Sequence, residues 1–373
     1  MHMNKGLTTG VMLALLLLGS VSFSHAQLTT APGGGNKKAA VSERVGITDI
    51  TIHYDRPHVN GRDGKIYGTP IVHVGYADLG FGTSKAAPWR AGANENTTIE
   101  FSTDVKIEGQ DLPAGKYGFF VAYDPSECTL IFSRNSGSWG SFFYDPQEDA
   151  LRVKVKPVPL TGKVEWLRYE FTDEKENSAT ISLEWEKLSI PFKVEVDYVK
   201  TQLESFRREL RSEKGFTWNA WVQAAQFCIQ YKTDLDEALV WANTAVSGAV
   251  GQKNFQTLST KSQVLALMGK KEEADAAMKE ALPLGQVGDV HQYARGLLAQ
   301  KKPKEAFDVF KMNYDKHPNE FTTNMGMARA YSGVGDYKKA LEYLKKAEPQ
   351  ADKLNKNNIE RLMPILEQGK DIN

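Results

Sequence analysis

The hydrophobic pattern of the chain changes its period once, near Tyr198. From Val45 to about Asp197, apolar and polar residues alternate, as in Ile50-Thr51-Ile52-His53-Tyr54. Successive side chains of a β-strand point to opposite faces, so this alternation predicts strands with one buried face. Further alternating segments are 151–155, 167–171, 181–185 and 192–196.

Two more continuously apolar segments, 116–123 and 128–132, predict central strands. Asp124-Pro125-Ser126-Glu127 between them predicts a hairpin turn, and Leu112-Pro113-Ala114-Gly115 predicts a second turn. Short antiparallel strands at this spacing predict an all-β sandwich over residues 45–197, with an open barrel as the second choice.

From Tyr198 onward the apolar residues follow helical spacing. Val199, Leu203, Phe206 and Leu210 recur every three or four residues, which predicts an amphipathic helix. We therefore expect a connecting helix within residues 198–216, packed on one of the two domains.

The remainder of the chain repeats itself. Ala238, Ala274, Ala306 and Ala340 each follow a Glu or Lys and recur at nearly equal intervals along the chain. Their period of about 34 residues indicates helix pairs stacked into a solenoid. We predict an all-α repeat array over residues 217–350, followed by a capping helix and tail over 351–373.

These repeats resemble tetratricopeptide repeats over residues 217–350. The last unit follows the family pattern best, at Ala328, Tyr331, Gly335-Asp336-Tyr337, Ala340, Leu344 and Ala347. The resemblance implies a surface that docks a peptide or a partner protein.

The β-domain carries a second set of motifs. They are Arg56-Pro57 with Gly61-Arg62, Trp89-Arg90-Ala91-Gly92-Ala93-Asn94-Glu95, Leu112-Pro113-Ala114-Gly115-Lys116-Tyr117, Trp139-Gly140, Tyr144-Asp145-Pro146 with Asp149 and Leu151-Arg152-Val153, and Glu184-Trp185-Glu186-Lys187. With them the segment resembles an uncharacterised family of secreted bacterial β-domains, the domain of unknown function 2911. The resemblance implies no activity. The chain departs from the family by an insertion at residues 71–87, directly before the candidate site.

The N-terminus has the features of a targeting segment. Lys5 precedes an apolar run at 11–18, and Ser24-His25-Ala26 supplies small residues for a cut before Gln27. We predict a signal peptide over residues 1–26, because the run is too short to span a bilayer; an uncleaved anchor is the alternative. Residues 27–44, rich in Gly and Lys, predict a flexible leader. The expected location is periplasmic or secreted, with no transmembrane segment in the mature chain.

Charge and cysteine content exclude some classes of function. The 46 basic and 46 acidic residues balance, which gives no electrostatic case for a nucleic-acid partner. Cys128 and Cys228 predict two separately buried thiols, with an interdomain disulfide as the alternative. No motif predicts a cofactor, a metal site or a catalytic group. His53, His58 and His73 lack zinc-typical spacing and are expected to be scattered on the surface.

The densest ligand-capable stretch is the segment 89–96. Trp89, Arg90, Asn94 and Glu95 combine a flat apolar face with groups that bind carboxylates, phosphates, hydroxyls or amines. We predict that this segment is a recognition loop, to which Arg56 adds a further cationic donor. The alternative is structural: Arg90 and Glu95 pair with each other or with strand ends, and Trp89 plugs the sandwich.

Two other acidic arrangements have simpler interpretations. Glu95 with Asp55 or Asp149 would make a carboxylate pair for acid–base hydrolysis, although sequence spacing alone does not bring them together. The acidic segment 144–149 lacks the alternation of a calcium loop and predicts a turn before the next strand.

Together these patterns predict an exported binding or scaffold protein of the cell envelope. In this hypothesis the repeats dock an envelope protein or peptide, and the β-domain recognises a small ligand or glycan. The alternative is a hydrolase acting on an envelope glycan or peptide through the β-domain, and a third is a structural assembly subunit. The pattern makes no prediction of oligomeric state.

Overall fold

The computed structural model describes residues 35–373. The predicted signal peptide and the first part of the predicted leader, residues 27–34, lie outside the described residues. The chain divides into two compact units after Tyr198. This boundary coincides with the change of hydrophobic period, because each period builds its own buried face.

The first unit is the β domain. Its strands are β1 (Lys37–Val45), β2 (Thr48–Arg56), β3 (Thr98–Phe101), β4 (Val105–Ile107), β5 (Gln110–Leu112), β6 (Gly115–Ala122), β7 (Cys128–Ser133), β8 (Asp149–Val155), β9 (Val158–Lys175) and β10 (Ser178–Glu195). They form two antiparallel sheets, one of six strands in the order β1-β2-β3-β6-β7-β8 and one of four in the order β5-β4-β10-β9.

The two sheets share one core, which confirms the predicted sandwich. Phe192 of β10 lies 5.6 Å from the ring centre of Phe119 on β6 and 6.1 Å from that of Phe132 on β7. All three side chains are fully buried. Burying such a ring contributes roughly 1.5–3 kcal/mol, so these contacts favour face-to-face packing of the two sheets.

Both predicted turns join the expected strands. Between β6 and β7, the carboxylate of Asp124 accepts hydrogen bonds from the backbone N–H groups of Ser126 at 2.7 Å and Glu127 at 3.2 Å. Between β5 and β6, the hydroxyl of Tyr117 donates to the carbonyl of Pro113 at 2.7 Å. The turn residues thus satisfy backbone groups that the sheet leaves unpaired.

The C-terminal boundary of the predicted leader is too late in the sequence. Residues 37–44 belong to strand β1, which pairs with β2 from Lys37 opposite Arg56 to Val45 opposite Thr48. The prediction of a flexible segment up to residue 44 is therefore wrong. The apolar face of β1 is small, with Ala39 and Val41 packed against the core. Backbone hydrogen bonds to β2 therefore provide much of the stability of the strand, and these bonds do not appear as a hydrophobic pattern in the sequence.

The second unit is helical. Its helices are α1 (Tyr198–Glu209), α2 (Trp218–Tyr231), α3 (Leu235–Ser247), α4 (Phe255–Leu267), α5 (Lys271–Ala281), α6 (Val287–Ala299), α7 (Pro303–Lys316), α8 (Phe321–Gly333), α9 (Tyr337–Ala347) and α10 (Lys353–Glu367). Helices α2 to α9 form four consecutive pairs in a tetratricopeptide-like array, and α10 follows them and packs on the last pair. None of the described helices is long and apolar enough to cross a membrane.

The repeat anchors explain how the pairs pack. Ala238, Ala274, Ala306 and Ala340 are all buried, each on the second helix of its pair. A methyl side chain at these points allows the two helix axes to approach closely. The spacing of small residues in the sequence therefore corresponds directly to the packing of the array.

Side chains at helix starts fix where several helices begin. Asn254 and Thr257 form a reciprocal capping box at α4, with the Thr257 N–H donating to Asn254 at 3.0 Å. Asp336 accepts from the Lys339 N–H at 3.1 Å before α9, and Asp352 caps α10 in the same way. Such caps satisfy backbone donors that have no partner inside the helix.

Helix α1 contacts the first repeat. The rings of Phe206 and Phe227 meet edge to face at 5.4 Å. Arg207 pairs with Asp234 at 3.1 Å and with Glu237 at 2.7 Å. The connecting segment thus supplies an extra helix to the N-terminal end of the array.

We predict that Phe206→Ala lowers the free energy of unfolding of the array by about 1–3 kcal/mol, since a half-buried ring contact is lost. Urea unfolding of the full chain, followed by circular dichroism at the helical band, measures this change. Phe206→Leu is the matched control, since it retains apolar volume and should recover most of the loss. Equal stability of Phe206→Ala and the wild type would contradict the role assigned to this contact.

Candidate functional site

The segment 89–97 is an excursion from the six-stranded sheet. At its start, Trp89 pairs with Val121 of β6 through two backbone hydrogen bonds of 2.9 and 2.8 Å. At its end, the carbonyl of Thr97 accepts from the N–H of Phe119 at 2.8 Å, and β3 continues from there. The loop between these points, residues 90–96, is therefore held at both ends by the same strand.

Trp89 lies in the core. Its side chain is 5% exposed and stacks on Trp185, with ring centres 6.3 Å apart and planes inclined by 18°. Tyr67 meets the Trp89 ring edge to face at 6.3 Å. This is the placement that the structural interpretation anticipated, with Trp89 filling the sandwich.

The turn after Trp89 is fixed by hydrogen bonds to one carbonyl. The backbone oxygen of Ala91 accepts from the hydroxyl of Thr97 at 3.1 Å and from that of Tyr169 at 2.8 Å. Ala91 itself adopts a left-handed conformation with φ 51°. A Cβ atom on Gly92 would lie 2.7 Å from the hydroxyl of Thr97, so the close approach requires glycine.

Arg90 is held between backbone and aromatic groups. Its Nη1 donates to the carbonyl of Asn94 at 2.6 Å, and its guanidinium lies 5.0 Å from the ring centre of Phe142. It also packs against Gly140, where a Cβ atom would collide with the guanidinium. Burial lowers the pKa of Arg90. Arg90 thus joins the loop to the segment 140–142 by cation–π packing.

Asn94 and Glu95 tie the loop to the strands beside it. The amide nitrogen of Asn94 donates to Asp55 at 3.3 Å, and its oxygen accepts from Asn36 at 3.2 Å. Glu95 forms an exposed ion pair of 2.6 Å with Lys38 of β1. The loop therefore connects to the N-terminal edge strand, which the sequence did not place in the fold.

Arg56 faces a different environment. Its Nε donates to the carbonyl of Leu167 at 2.8 Å, and it lines an open cleft of about 510 Å³ together with Trp166, Arg168 and Glu184. None of the residues 89–96 lines that cleft. Ligand binding by Trp89, Arg90, Asn94, Glu95 and Arg56 stays a prediction. The geometry joins Arg90, Asn94 and Glu95 in one loop and sets Arg56 in a separate cleft.

Of the carboxylates proposed for hydrolysis, Glu95 and Asp55 both raise the pKa of Lys38, whereas Asp149 belongs to a different network. Glu95 pairs with Lys38, and Asp55 accepts from Asn94. Asp149 accepts from the hydroxyl of Tyr144 at 2.8 Å and from Nε of Arg152 at 2.5 Å. Each carboxylate thus has its own donor.

Tyr144, Asp149 and Arg152 form a closed network of motif residues. Tyr144 and Arg152 both contact Asp149, and they also contact each other, because Nη2 of Arg152 donates to the Tyr144 hydroxyl at 2.8 Å. Burial, followed by the hydrogen bond to Asp149, raises the pKa of Tyr144. The predicted turn lies just before β8, where Asp145 accepts from the N–H of Gln147 at 2.9 Å. Arg152 also lines a cleft of about 550 Å³ with Tyr76 and Lys154.

An exposed aromatic surface adjoins the loop and was missed by sequence reasoning. It comprises Phe81, Phe142 and Phe143, which we call the aromatic patch, and Trp139 is exposed in the segment just before Phe142. Phe81 lies 5.5 Å from Phe142 and 6.2 Å from Phe143, and the exposed fractions of Phe81, Trp139 and Phe143 are 66%, 56% and 49%. Phe81 lies in the insertion at residues 71–87, and Phe142 and Phe143 follow the Trp139-Gly140 motif, but the contact between these two segments is a product of the fold.

The array carries a second candidate region. Phe227, Gln263, Arg295 and Arg329 occupy equivalent positions in the four repeats, with the same spacing as the anchor alanines. They lie on the first helices of the pairs, α2, α4, α6 and α8, whose common side we call the first-helix face. On this face Arg295, Leu298, Ala299, Lys301, Arg329, Asp371 and Asn373 line a cleft of about 440 Å³.

Positive groups converge at this cleft. Burial lowers the pKa of Arg329, and the nearby Arg295 lowers it further, although Asp371 acts in the opposite direction. Burial first, and then Arg329 and Arg295, lower the pKa of His291 on α6 to about 4. The buried Nδ1 of His291 has no hydrogen-bond partner within the described chain. His291 is therefore a neutral imidazole at neutral pH.

The described part of the chain contains neither a metal-binding cluster nor a disulfide. No group of three or more His, Cys, Asp or Glu side chains within residues 35–373 is arranged to hold a metal ion. Cys128 and Cys228 are free and buried, and burial raises the pKa of both thiols, that of Cys228 to about 11. Both are therefore protonated at neutral pH.

Residues 36–194 match the family model described as "Protein of unknown function (DUF2911)", which confirms the resemblance of the β domain. No curated protein matches the chain. Among solved structures the chain is similar to MamA, with 13% identity over 44% of this chain and 91% of that chain and a TM-score of 0.31. It is also similar to YrrB, "a TPR protein with an unusual peptide-binding site", with 14% identity over 44% of this chain and 84% of that chain and a TM-score of 0.30.

A tetratricopeptide repeat protein from Parabacteroides merdae is similar at 17% identity, over 46% of this chain and 64% of that chain, with a TM-score of 0.31. Because these TM-scores are low, the assignment of the array depends on its own helix pairs and buried alanine anchors and not on these similarities.

We predict that Trp89→Ala lowers the free energy of unfolding of the β domain by about 3–5 kcal/mol, because it removes a buried ring stacked on Trp185. Trp139→Ala is the matched control, since the same truncation at an exposed position should change stability by no more than about 0.5 kcal/mol. Glu95→Gln should leave the transition close to that of the wild type, since its ion pair is exposed. Urea unfolding of the full chain measures all three, and equal losses at positions 89 and 139 would contradict the assignment.

We predict that His291 makes the array less stable in acid. The folded-state pKa of about 4 lies below the ordinary value of 6.5, so the unfolded chain binds the proton first. The stability contribution is complete above pH 6.5 and is lost as the pH falls toward 4. At pH 4.5 the loss is about 2 kcal/mol relative to pH 7.5. His291→Gln should flatten this part of the pH dependence in urea unfolding at the helical band, and identical pH profiles would refute the prediction.

Proposed function

We propose that this protein is an exported interaction scaffold whose repeat array docks a segment of a partner protein of the cell envelope. The observation that carries the proposal is the cleft on the first-helix face, lined from α6, α8 and the segment after α10. Successive first helices touch, as α2 does with α4 and α6 with α8, so equivalent side chains of neighbouring repeats share one surface. A surface built from repeats suits an extended peptide segment.

Export and envelope location rest on the N-terminal sequence. The charged start, the apolar run at 11–18 and Ser24-His25-Ala26 support a cleaved signal peptide. Release of the native protein by osmotic shock, with Gln27 as its first residue, tests this part separately.

For the β domain we propose recognition of a small ligand or glycan at the aromatic patch. Phe81 packs against Phe142 and Phe143, and Phe142 lies against the Arg90 guanidinium. Flat apolar faces therefore lie next to a positive group, a combination suited to sugar rings. The hydrolase alternative has weaker support, because Glu95 is engaged by an ion pair with Lys38 and Asp149 is engaged by Tyr144 and Arg152 in a different network.

Site-specific photo-crosslinking in the native host tests the docking proposal. A photoreactive residue at Gln263 or Ala299, both exposed on the first-helix face, should give discrete cross-linked species. The matched controls are Lys279 and Lys311, which are exposed on the second helices α5 and α7. We expect cross-links from the first pair of positions at least severalfold above those from the second. Equal cross-linking from both pairs, or none from either, would argue against docking on this face.

A further inference from the structure

Two cations of the β domain lie directly opposite each other at one end of the six-stranded sheet. Lys37 is the first residue of β1 and pairs with Arg56, the last residue of β2. Directly opposite side chains of an antiparallel pair point to the same face of the sheet. The next opposite pair on that face, Ala39 and Tyr54, packs in the core. Both cations therefore lie on the core-facing side, at the end of the sandwich.

Neither cation has a carboxylate partner within residues 35–373. Nε of Arg56 donates to the carbonyl of Leu167 at 2.8 Å, whereas its two terminal nitrogens have no acceptor among these residues. Nζ of Lys37 lies 4.8 Å from the ring centre of Trp166, a cation–π contact that positions the ammonium. Like charges on directly opposite residues destabilise a strand pair. An anion bound between Lys37 and Arg56 would remove this repulsion.

The carboxylates of the neighbouring cleft do not supply that anion, because other cations engage them. Glu184 accepts hydrogen bonds from Nε and Nη2 of Arg168 at 2.9 and 2.8 Å. Glu165 pairs with Lys163 at 3.1 Å. These four residues line the cleft of about 510 Å³ together with Arg56. The charge of Arg56 is therefore the one that the walls of this cleft leave uncompensated.

The composition of the cleft indicates the class of ligand. Its apolar lining is limited to Leu160, Val164 and Trp166, and the other side chains carry hydroxyl, carboxylate, ammonium or guanidinium groups. Such walls donate and accept hydrogen bonds, as the hydroxyl groups of a sugar require. The volume of about 510 Å³ lies in the range of small-molecule sites and exceeds that of a single small ion. Since the Trp166 ring that holds Lys37 lines the cleft, both cations adjoin a ligand bound there.

An added peptide strand fits this cleft less well than a sugar does. Strand β9 forms one wall, and its backbone at residues 165–167 is already paired with the segment 57–59. The N–H of Val59 donates to the carbonyl of Glu165 at 2.8 Å, and the N–H of Leu167 donates to the carbonyl of Pro57 at 3.0 Å. These bonds occupy the backbone groups that an added strand would use.

We propose that the cleft beside Lys37 and Arg56 is a binding site for an acidic sugar. The two cations bind the sugar carboxylate, and the polar walls of the cleft bind its hydroxyl groups. The proposal goes beyond the recognition proposed for the aromatic patch, because none of Phe81, Phe142 and Phe143 lines this cleft. The β domain then has two separate ligand sites, one aromatic and one cationic.

Isothermal titration calorimetry with the purified full chain tests the proposal. The probes are digalacturonic acid and its dimethyl ester, which share one carbon skeleton and differ in charge. We expect the acid to bind at least about tenfold tighter than the ester, because only the acid offers carboxylates to the two cations. Equal affinity for the two probes, or no measurable binding of the acid at millimolar concentrations, would overturn the proposal.

Single substitutions locate the site. Lys37→Gln and Arg56→Gln should each weaken binding of the acid about tenfold and leave binding of the ester nearly unchanged. Lys156→Gln is the matched control and should change neither affinity, since it removes an exposed lysine just after β8, the opposite edge strand of the same sheet. Phe81→Ala separates this site from the aromatic patch. Loss of acid binding in Phe81→Ala but not in Lys37→Gln would assign the sugar to the patch and refute the cationic site.

Lys37→Gln is the deciding variant if Arg56→Gln fails to fold. Arg56→Gln also removes the hydrogen bond to Leu167, whereas Lys37 is exposed and its substitution relieves a repulsion. A folded Lys37→Gln variant that binds the acid as tightly as the wild type does would contradict the proposal.

Two competitors test the choice of a sugar. Neither inorganic phosphate nor the peptide Glu-Glu-Glu, each at the concentration of the acid, should displace the bound acid. Full displacement by phosphate would indicate a general anion site, and tighter binding of the peptide than of the acid would indicate a peptide site. Either result would reject the acidic sugar as the ligand.

Discussion

The stacking of Trp89 on Trp185 is the contact on which the β domain's candidate region depends. Trp89 continues the line of β3 by pairing with Val121 in the six-stranded sheet, and Trp185 belongs to β10 in the four-stranded sheet. The stacked pair therefore joins the two layers at the point where the loop 90–96 leaves. Because Trp89 is buried in this contact, it anchors the start of the loop and thereby positions Arg90 against Phe142.

The sequence predicted the architecture because hydrophobic period is a local property. Alternation at Ile50, Ile52 and Tyr54 corresponds to the buried face of β2, and the alanine anchors correspond to buried contacts between paired helices. Strand β1 escaped prediction for a physical reason. An edge strand gains much of its stability from backbone hydrogen bonds to one neighbour, and these leave no pattern in side-chain type.

The candidate loop shows the opposite case. Its sequence reveals many polar groups that could bind a ligand, but it does not reveal the partners that those groups have in the fold. Trp89, Arg90, Asn94 and Glu95 are close in sequence, yet the groups that decide their roles are far away along the chain. Asn94 and Glu95 bind Asn36 and Lys38, which precede them by 58 and 57 residues. Whether a polar side chain is free for a ligand depends on such long-range partners, and composition alone does not reveal them.

In the array, the regular spacing of the repeats allows the sequence to predict which distant residues share a face. Arg295 and Arg329 are one repeat apart, so an overlay of repeats places both on the first-helix face. What the overlay does not supply is the segment after α10, which brings Asp371 and Asn373 to the same cleft and buries Ile372 in the core of the last repeat.

The two candidate surfaces differ in the chemistry that would satisfy them. In the loop of the β domain, Arg90, Asn94 and Glu95 each have a partner within that domain, and what remains exposed nearby is aromatic. The array presents a cleft lined by Arg295, Lys301 and Arg329 together with Asp371. A neutral ring-shaped ligand suits the aromatic patch, whereas a peptide segment suits a cleft lined by polar side chains of successive repeats. Under the proposed function the two units therefore recognise different molecules, which is what a scaffold connecting two components requires.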